Sequence, residues 1–77
     1  PTPTFDETNS AGGGLKWDVC TDSSGAACDG AAANAICVFK GHSAHDSFSV
    51  IPTDHARYLN GGECTITCGA FSSLICK

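Results

Sequence analysis

The sequence predicts a small disulfide-rich α+β domain, with one main helix and a second short helix packed on a mainly antiparallel sheet of about four strands. Three observations lead to this fold class. The 77 residues suffice for one domain with a marginal apolar core. Segments with helical and with strand periodicity follow each other along the chain. Six cysteines are spread over most of its length: Cys20, Cys28, Cys37, Cys64, Cys68 and Cys76.

The even cysteine count predicts three disulfides, which supply the constraint that a small apolar core lacks. The loop-entropy model gives each of them about 3 kcal/mol of stabilisation through the unfolded state. The spacing does not choose among the possible pairings, although a hairpin turning at Ala70 would place Cys64 opposite Cys76. A zinc–thiolate site is disfavoured, because Cys64-x3-Cys68 is the one short pair.

The N-terminal residues 1–14 are predicted to form a flexible tail, which leaves residues 15–77 as a single domain. Prolines favour extended backbone at the start of this tail, and the three glycines at positions 12–14 form a hinge. The first strand of the domain is predicted over residues 15–20, where apolar and polar residues alternate. Trp17 lies on the apolar face of this strand and is expected in the core.

The main helix is predicted over residues 29–40, after a polar loop. Asp29 can cap its first turn, the alanines favour helical backbone, and Gly41 is a natural stop. Its buried stripe is expected to contain Ala33, Ile36, Cys37 and Lys40.

The C-terminal half is predicted to contain three strands and the short helix. A strand over residues 47–51 ends at Pro52, and the short helix covers residues 55–59. Residues 63–68 are β-rich, and a tight turn at Gly69 and Ala70 leads into a last strand over residues 72–76.

The charge distribution argues against nucleic-acid and membrane partners. Four Lys/Arg against eight Asp/Glu give a net charge of −4, and the basic residues are isolated from one another. Nucleic acids and anionic membranes require clustered positive charge, and a membrane span requires about 20 apolar residues. The absence of Met and of an apolar leader, together with the cysteines, leads us to expect a secreted, extracellular monomer whose signal peptide has been removed.

Polar and aromatic side chains after the main helix are the candidate binding residues. Of these, His42, His45 and Asp46 could bind Zn²⁺ or Cu²⁺ or respond to pH. No second ligand pair has a recognisable spacing, so we expect no cofactor. Any large aromatic side chain left outside the small core would anchor an interface. The candidate residues are His42, His45, Asp46, Arg57 and Tyr58.

A second set, His55, Arg57, Tyr58 and Glu63, offers the acid, base and cation that small secreted ribonucleases use. On the predicted short helix, His55 and Tyr58 share a face and Arg57 points away. The acidic surface also repels RNA. A capped helix with polar surface groups is therefore favoured, and no catalytic residue is assigned.

Three segments within residues 15–77 have a familiar composition, after a Pro/Thr-rich start: Val19-Cys20-Thr21, the Ala/Gly-rich helix carrying Cys37, and Gly-Glu-Cys-Thr-Ile-Thr-Cys at residues 62–68. In these features the chain resembles small secreted cysteine-rich proteins of filamentous fungi, which include candidate effectors and killer-toxin-like proteins. The resemblance implies a compact α+β sandwich with three or four disulfides. It also implies an effector or toxin that binds an extracellular protein or cell-surface component of another organism.

Two alternative functions belong to other classes. The first is inhibition of a secreted hydrolase, for which residues 21–27 and 41–47 would be pre-ordered contact loops that lose little entropy on binding. The second is the ribonuclease described above.

Overall fold

A computed structural model describes residues 3–77 as an α+β domain with one helix and two three-stranded sheets. The predicted α+β class and the single main helix are confirmed, whereas each sheet has three strands instead of about four. The elements are the strands β1 (Phe5–Asp6) and β2 (Lys16–Trp17), the helix α1 (Gly30–Phe39), and the strands β3 (His45–Thr53), β4 (Ala56–Arg57), β5 (Glu63–Cys64) and β6 (Cys68–Cys76).

The larger sheet is antiparallel, with β6 between β1 and β3. The buried residues of β6 are all apolar, and Phe71, Leu74 and Cys76 are fully buried. The outer strand β3 is mostly exposed, contains Pro52, and is interrupted by two register shifts against β6. The larger sheet therefore buries its central strand and leaves one long strand at its border.

The smaller sheet is built from three two-residue strands around Ala56. Strand β4 is parallel to β2 and antiparallel to β5, so that Ala56 pairs with Lys16 on one side and Cys64 on the other. Ala56 is fully buried and packs in one apolar group with Cys64, Cys68 and Ala70. This sheet places Arg57 directly opposite Glu63.

Helix α1 agrees closely with its prediction, except at its two ends. Asp29 precedes the helix with a φ of 54° and makes no side-chain capping hydrogen bond, because a capping residue normally has extended backbone. Gly41, with a φ of 90°, follows the helix as predicted. Lys40 is exposed and does not belong to the buried stripe, which consists of Ala32, Ala33, Ile36 and Cys37.

The core lies between α1 and the inner face of β6. Trp17 is 5% exposed, which confirms the prediction that it is buried, and its Nε1 donates a hydrogen bond of 2.8 Å to Ser10 Oγ. The buried members of this core are Ala11, Trp17, Ala32, Ala33, Ile36, Cys37, Phe71, Leu74 and Cys76.

Three disulfides join all six cysteines, as the even count predicts: Cys20–Cys28, Cys37–Cys76 and Cys64–Cys68. The suggested pairing of Cys64 with Cys76 is wrong, because residues 68–76 form one continuous strand without a turn at Ala70. The loop-entropy model assigns about 4 kcal/mol to Cys37–Cys76, which spans 39 positions, and about 2 to 3 kcal/mol to each shorter bridge. Cys37–Cys76 fastens the helix to the sheet.

The predicted short helix over residues 55–59 is absent from the described chain, and its place is taken by β4 and a turn. The backbone N–H of Tyr58 donates a hydrogen bond of 2.7 Å to the carbonyl of Gly62, which closes the connection to β5. A helix of five residues is unstable alone, and pairing with two strands satisfies more backbone groups. Tertiary pairing therefore overrides the local pattern.

The N-terminal segment, predicted as a flexible tail over residues 1–14, contacts the domain at several described positions. Phe5 pairs with Cys76, and the backbone N–H of Glu7 donates a hydrogen bond of 2.9 Å to the carbonyl of Leu74. Ala11 is 7% exposed. Residues 1–2 lie outside the described residues. These strand contacts are not visible in a composition rich in Pro and Gly.

Candidate functional site

The five predicted binding residues lie on different elements and have different partners. His42 follows α1, whereas His45 and Asp46 begin β3. Arg57 ends β4 on the smaller sheet, and Tyr58 follows it. The structure therefore separates these residues: His45 and Asp46 lie on the larger sheet, Arg57 and Tyr58 lie at the smaller sheet, and His42 lies on neither.

His42 ties the N-terminal segment to the end of the helix. Its Nε2 lies 2.7 Å from Glu7 Oε2, and its ring stacks on Phe5 with a centroid distance of 4.6 Å. Both side chains of the ion pair are largely covered, and the hydrogen bond from His42 is the main cause that lowers the pKa of Glu7. The geometry indicates a structural tie between β1 and α1.

We expect Glu7→Gln to lower stability at neutral pH but not in acid. Because the pKa of Glu7 is lowered in the folded state, its carboxylate stabilises the fold above its ordinary pKa, and this contribution disappears as the pH falls through the lowered value. The loss at neutral pH should be at most about 1 kcal/mol. Thermal unfolding of both proteins, followed by circular dichroism at neutral and acidic pH, measures it. An equal difference at both pH values would contradict the assignment.

Among the described residues, His45 and Asp46 share no hydrogen-bond partner with His42. His45 donates its backbone N–H to Asn34 Oδ1 at 2.9 Å, its Nδ1 also contacts that oxygen, and its ring meets Phe48 edge-on. Within residues 3–77, the one convergence of three potential metal ligands is Asp18 with Cys64 and Cys68, whose sulfurs are bonded to each other. The histidine segment thus lacks the convergence that a metal would require.

A polar cluster, defined here as His55, Arg57 and Glu63, forms on the smaller sheet. His55 Nε2 lies 2.5 Å from Glu63 Oε1, and Arg57 Nη2 lies 3.6 Å from Glu63 Oε2. The three side chains are 38–44% exposed. The cluster arises because β4 and β5 pair Arg57 with Glu63, and His55 directly precedes β4. The helical prediction that Arg57 points away from this set is wrong.

Tyr58 belongs to the packing beneath this sheet. It is half-buried and packs against the small apolar group formed by Ala56, Cys64, Cys68 and Ala70. Its backbone also closes the β4–β5 connection, as described above. The contacts of Tyr58 are therefore those of a structural residue.

A helix-end patch, defined here as Val38 and Phe39, is an exposed apolar surface that is not among the predicted binding residues. Val38 and Phe39 lie in the last turn of α1 and are 58% and 67% exposed. The Nζ of Lys40 lies 5.7 Å from the Phe39 ring centroid. The helical stripe through Ala33, Ile36 and Cys37 already turns positions 38 and 39 outward, so the signal was present in the periodicity.

Residues 21–27 form an exposed loop that is closed at its base. The disulfide Cys20–Cys28 joins its two ends, and the N–H of Thr21 donates a hydrogen bond of 2.9 Å to the carbonyl of Ala27. The Asp22 Oδ1 accepts a hydrogen bond of 3.0 Å from the N–H of Ser24. The loop is consequently a pre-ordered surface.

The surface of residues 3–77 contains no pocket. In the same part of the chain, no helix has the length and apolar character that a membrane span requires. Comparisons with family models, curated proteins and solved structures found no match.

Proposed function

We propose that the chain is a secreted effector or toxin-like protein that acts by binding an extracellular protein or a cell-surface component of another organism. The helix-end patch is the observation that carries this proposal. Two adjacent apolar side chains in water cost free energy that is recovered when a partner covers them. The Nζ of Lys40 lies 5.7 Å from the centroid of the Phe39 ring, within the range at which a cation is attracted to an aromatic face.

The scaffold behind the patch supports the same function. Cys37, immediately before Val38, is bonded to Cys76 of the central strand, so the last turn of α1 is fixed to the sheet. A pre-ordered surface loses little conformational entropy on binding. Three disulfides are also typical of proteins in oxidising compartments, which favours secretion.

The charge favours a protein or glycan partner over nucleic acid or an anionic membrane. The net charge is −4, and the guanidinium of Arg57 faces the carboxylate of Glu63. Neither feature supplies the clustered free cations that phosphate-rich partners require. We expect the protein to act as a monomer on such a partner.

The first test is a dose series of the oxidised protein on living plant and fungal cells. Reduced and alkylated protein is the control, because it has the same sequence without the scaffold. We expect only the oxidised form to kill, stunt or provoke a defence response. The absence of any response would contradict the toxin and effector function, and would direct attention to secreted hydrolases as targets of the loop at residues 21–27.

The second test replaces the helix-end patch. We expect Val38→Ser combined with Phe39→Ser to weaken the cellular response by about thirtyfold, which corresponds to about 2 kcal/mol of lost binding. Ile66→Ser is the matched control, because Ile66 is 76% exposed but lies outside the patch. Circular dichroism checks that both variants fold. If the patch variant acts at the dose of the wild type, the patch does not bind the target.

A second candidate function, cleavage of single-stranded RNA, is favoured by the polar cluster alone. Glu63 contacts His55 on one side and faces Arg57 on the other, so a base, an acid and a cation meet on one exposed surface. The base would take the proton of a 2′-hydroxyl that attacks phosphorus, and the acid would protonate the leaving 5′-oxygen. Arg57 would offset charge on the phosphate.

This second candidate predicts that His55→Ala lowers the cleavage rate at least about hundredfold while the fold is retained. His45→Ala is the matched control, because it removes an imidazole from the other sheet. The measurement is cleavage of a fluorescent single-stranded RNA by the oxidised protein. The candidate is rejected if the wild-type protein does not cleave, or if His55→Ala cleaves equally well.

A further inference from the structure

A buried carboxyl group lies beside one of the three disulfides. Asp18 is 5% exposed, and among residues 3–77 it is the one buried residue with an ionisable side chain outside the disulfides. One of its carboxylate oxygens and the Sγ atoms of Cys64 and Cys68 all lie within 4.8 Å of one another. Neither candidate function described above uses this arrangement.

The surroundings of Asp18 raise the pKa of its carboxyl group above its ordinary value. Its Oδ1 accepts a hydrogen bond of 2.9 Å from the N–H of Cys20, and burial raises its pKa against the effect of that bond. Among the described residues, no cation forms an ion pair with it. The nearby Arg57, whose carbonyl accepts from the N–H of Asp18, directs its guanidinium to Glu63 and to the carbonyl of Ala11.

We propose that Cys64–Cys68 is a redox-active disulfide, which exchanges with an external dithiol while Asp18 transfers the proton. This activity is independent of the binding function proposed above. The argument rests on three features: a carboxyl group next to both sulfurs, the small loop that the bridge closes, and the exposure of the residues inside that loop.

The exchange conserves atoms and electrons in two steps. A thiolate of the external dithiol attacks one sulfur of Cys64–Cys68 and forms a mixed disulfide, while the bond between the two cysteines breaks. The released cysteine takes the electron pair of that bond and receives the proton of Asp18. The second thiol of the external molecule then loses its proton to the Asp18 carboxylate and, as a thiolate, attacks the mixed disulfide. That step releases the second cysteine as a thiolate, which solvent protonates. The dithiol is oxidised by two electrons and the protein is reduced by two.

The small loop makes this bridge the least costly of the three for the fold to lose. Cys64 and Cys68 are four positions apart, and residues 65–67 between them are exposed, with Ile66 at 76%. Movement of this short segment exposes the sulfurs without separating α1 from the sheet, which Cys37–Cys76 holds. Cys64 and Cys68 are themselves only 8% and 6% exposed, so their reduction requires this movement. Cys37 and Cys76 are fully buried and join distant parts of the chain. Reduction at residues 64 and 68 therefore leaves the core constraint intact.

The test follows reduction of each disulfide by dithiothreitol, with alkylation and mass spectrometry of the peptides at successive times. We expect Asp18→Asn, which keeps a hydrogen-bond acceptor for Cys20, to slow reduction of Cys64–Cys68 at least about tenfold. Cys20–Cys28 in the same molecule is the matched control, and its rate should not change. The proposal is overturned if Cys64–Cys68 reacts at the wild-type rate in this variant, or if both disulfides slow equally.

A second measurement uses the wild-type protein alone, so it does not depend on how the variant folds. At constant dithiothreitol thiolate concentration, the reduction rate of Cys64–Cys68 should fall as the pH rises through the titration of Asp18, because the proton donor is lost. The rate at Cys20–Cys28 should stay flat. A flat profile at both disulfides removes Asp18 from the reaction.

Discussion

Removal of Cys37–Cys76, by Cys37→Ala together with Cys76→Ala, is expected to lower the free energy of unfolding by about 4 kcal/mol. Both residues are fully buried, and the bridge joins α1 to the central strand across 39 positions of sequence. A domain of this size has a total stability of about 4 to 12 kcal/mol, so the loss removes between about one third and all of it. Urea denaturation followed by circular dichroism measures the change.

The matched control removes Cys20–Cys28 by the same pair of alanine substitutions. This bridge spans eight positions, and its loss should cost between about 2 and 3 kcal/mol. The control variant should therefore fold at 25 °C with a lower urea midpoint. Equal losses in the two variants would mean that the long bridge does not hold the core together.

Phe71→Ala is expected to cost about 3 to 5 kcal/mol of stability, through lost apolar burial and the cavity left behind. Phe71 is fully buried on β6, and its ring meets that of Phe48 edge-on with a centroid distance of 5.4 Å. The neighbours come from a disulfide-held helix and sheet, which restricts their collapse into the space. Thermal and urea unfolding, with the binding activity measured on the fraction that folds, check the effect.

The control for Phe71 is Phe39→Ala, which removes the same side chain from an exposed position. Phe39 is 67% exposed, so its loss should change the free energy of unfolding by at most about 0.5 kcal/mol. This pair of variants separates packing from binding, because Phe39→Ala should weaken the cellular response. Similar stability losses at both positions would contradict the described core.

Local patterns predicted the features that depend on local physics. Helix α1 was predicted over residues 29–40 and lies at Gly30–Phe39. The alanines favour helical backbone and Gly41 ends the helix, and both effects depend only on neighbouring residues. Trp17 was predicted in the core from strand alternation, and three disulfides were predicted from an even count. In each case the deciding interaction lies within a few residues or is covalent.

Features that depend on distant partners could not be predicted in this way. The segment at residues 55–59 has a plausible helical pattern, but β4 forms because β2 and β5 lie on either side of it. The last strand begins at Cys68 because the residues after it pair with a distant part of the chain. The N–H of Val19 donates a hydrogen bond to the carbonyl of Gly69, and Asp18 forms a β-bridge with Ala70. Pairings of this kind have no signature in a single sequence.

For the candidate sites, too, the sequence indicated some of the residues but not their arrangement. The polar cluster contains residues that the sequence singled out, but their geometry required the β4–β5 pair. Asp18 was missed altogether, since alternation places it opposite the face of Trp17 and Val19. It is buried because β2 ends at Trp17 and the chain then bridges to Ala70 of the central strand.

The irregular course of β3 has a consequence for behaviour at high concentration. A nine-residue strand at the border of a sheet offers a row of backbone groups to which a strand from another molecule can add. Here, Pro52 removes one N–H donor, and the two register shifts break the even spacing that a continuous intermolecular ladder needs. These two features therefore oppose the addition of a second molecule's strand beside the exposed Val50 and Ile51.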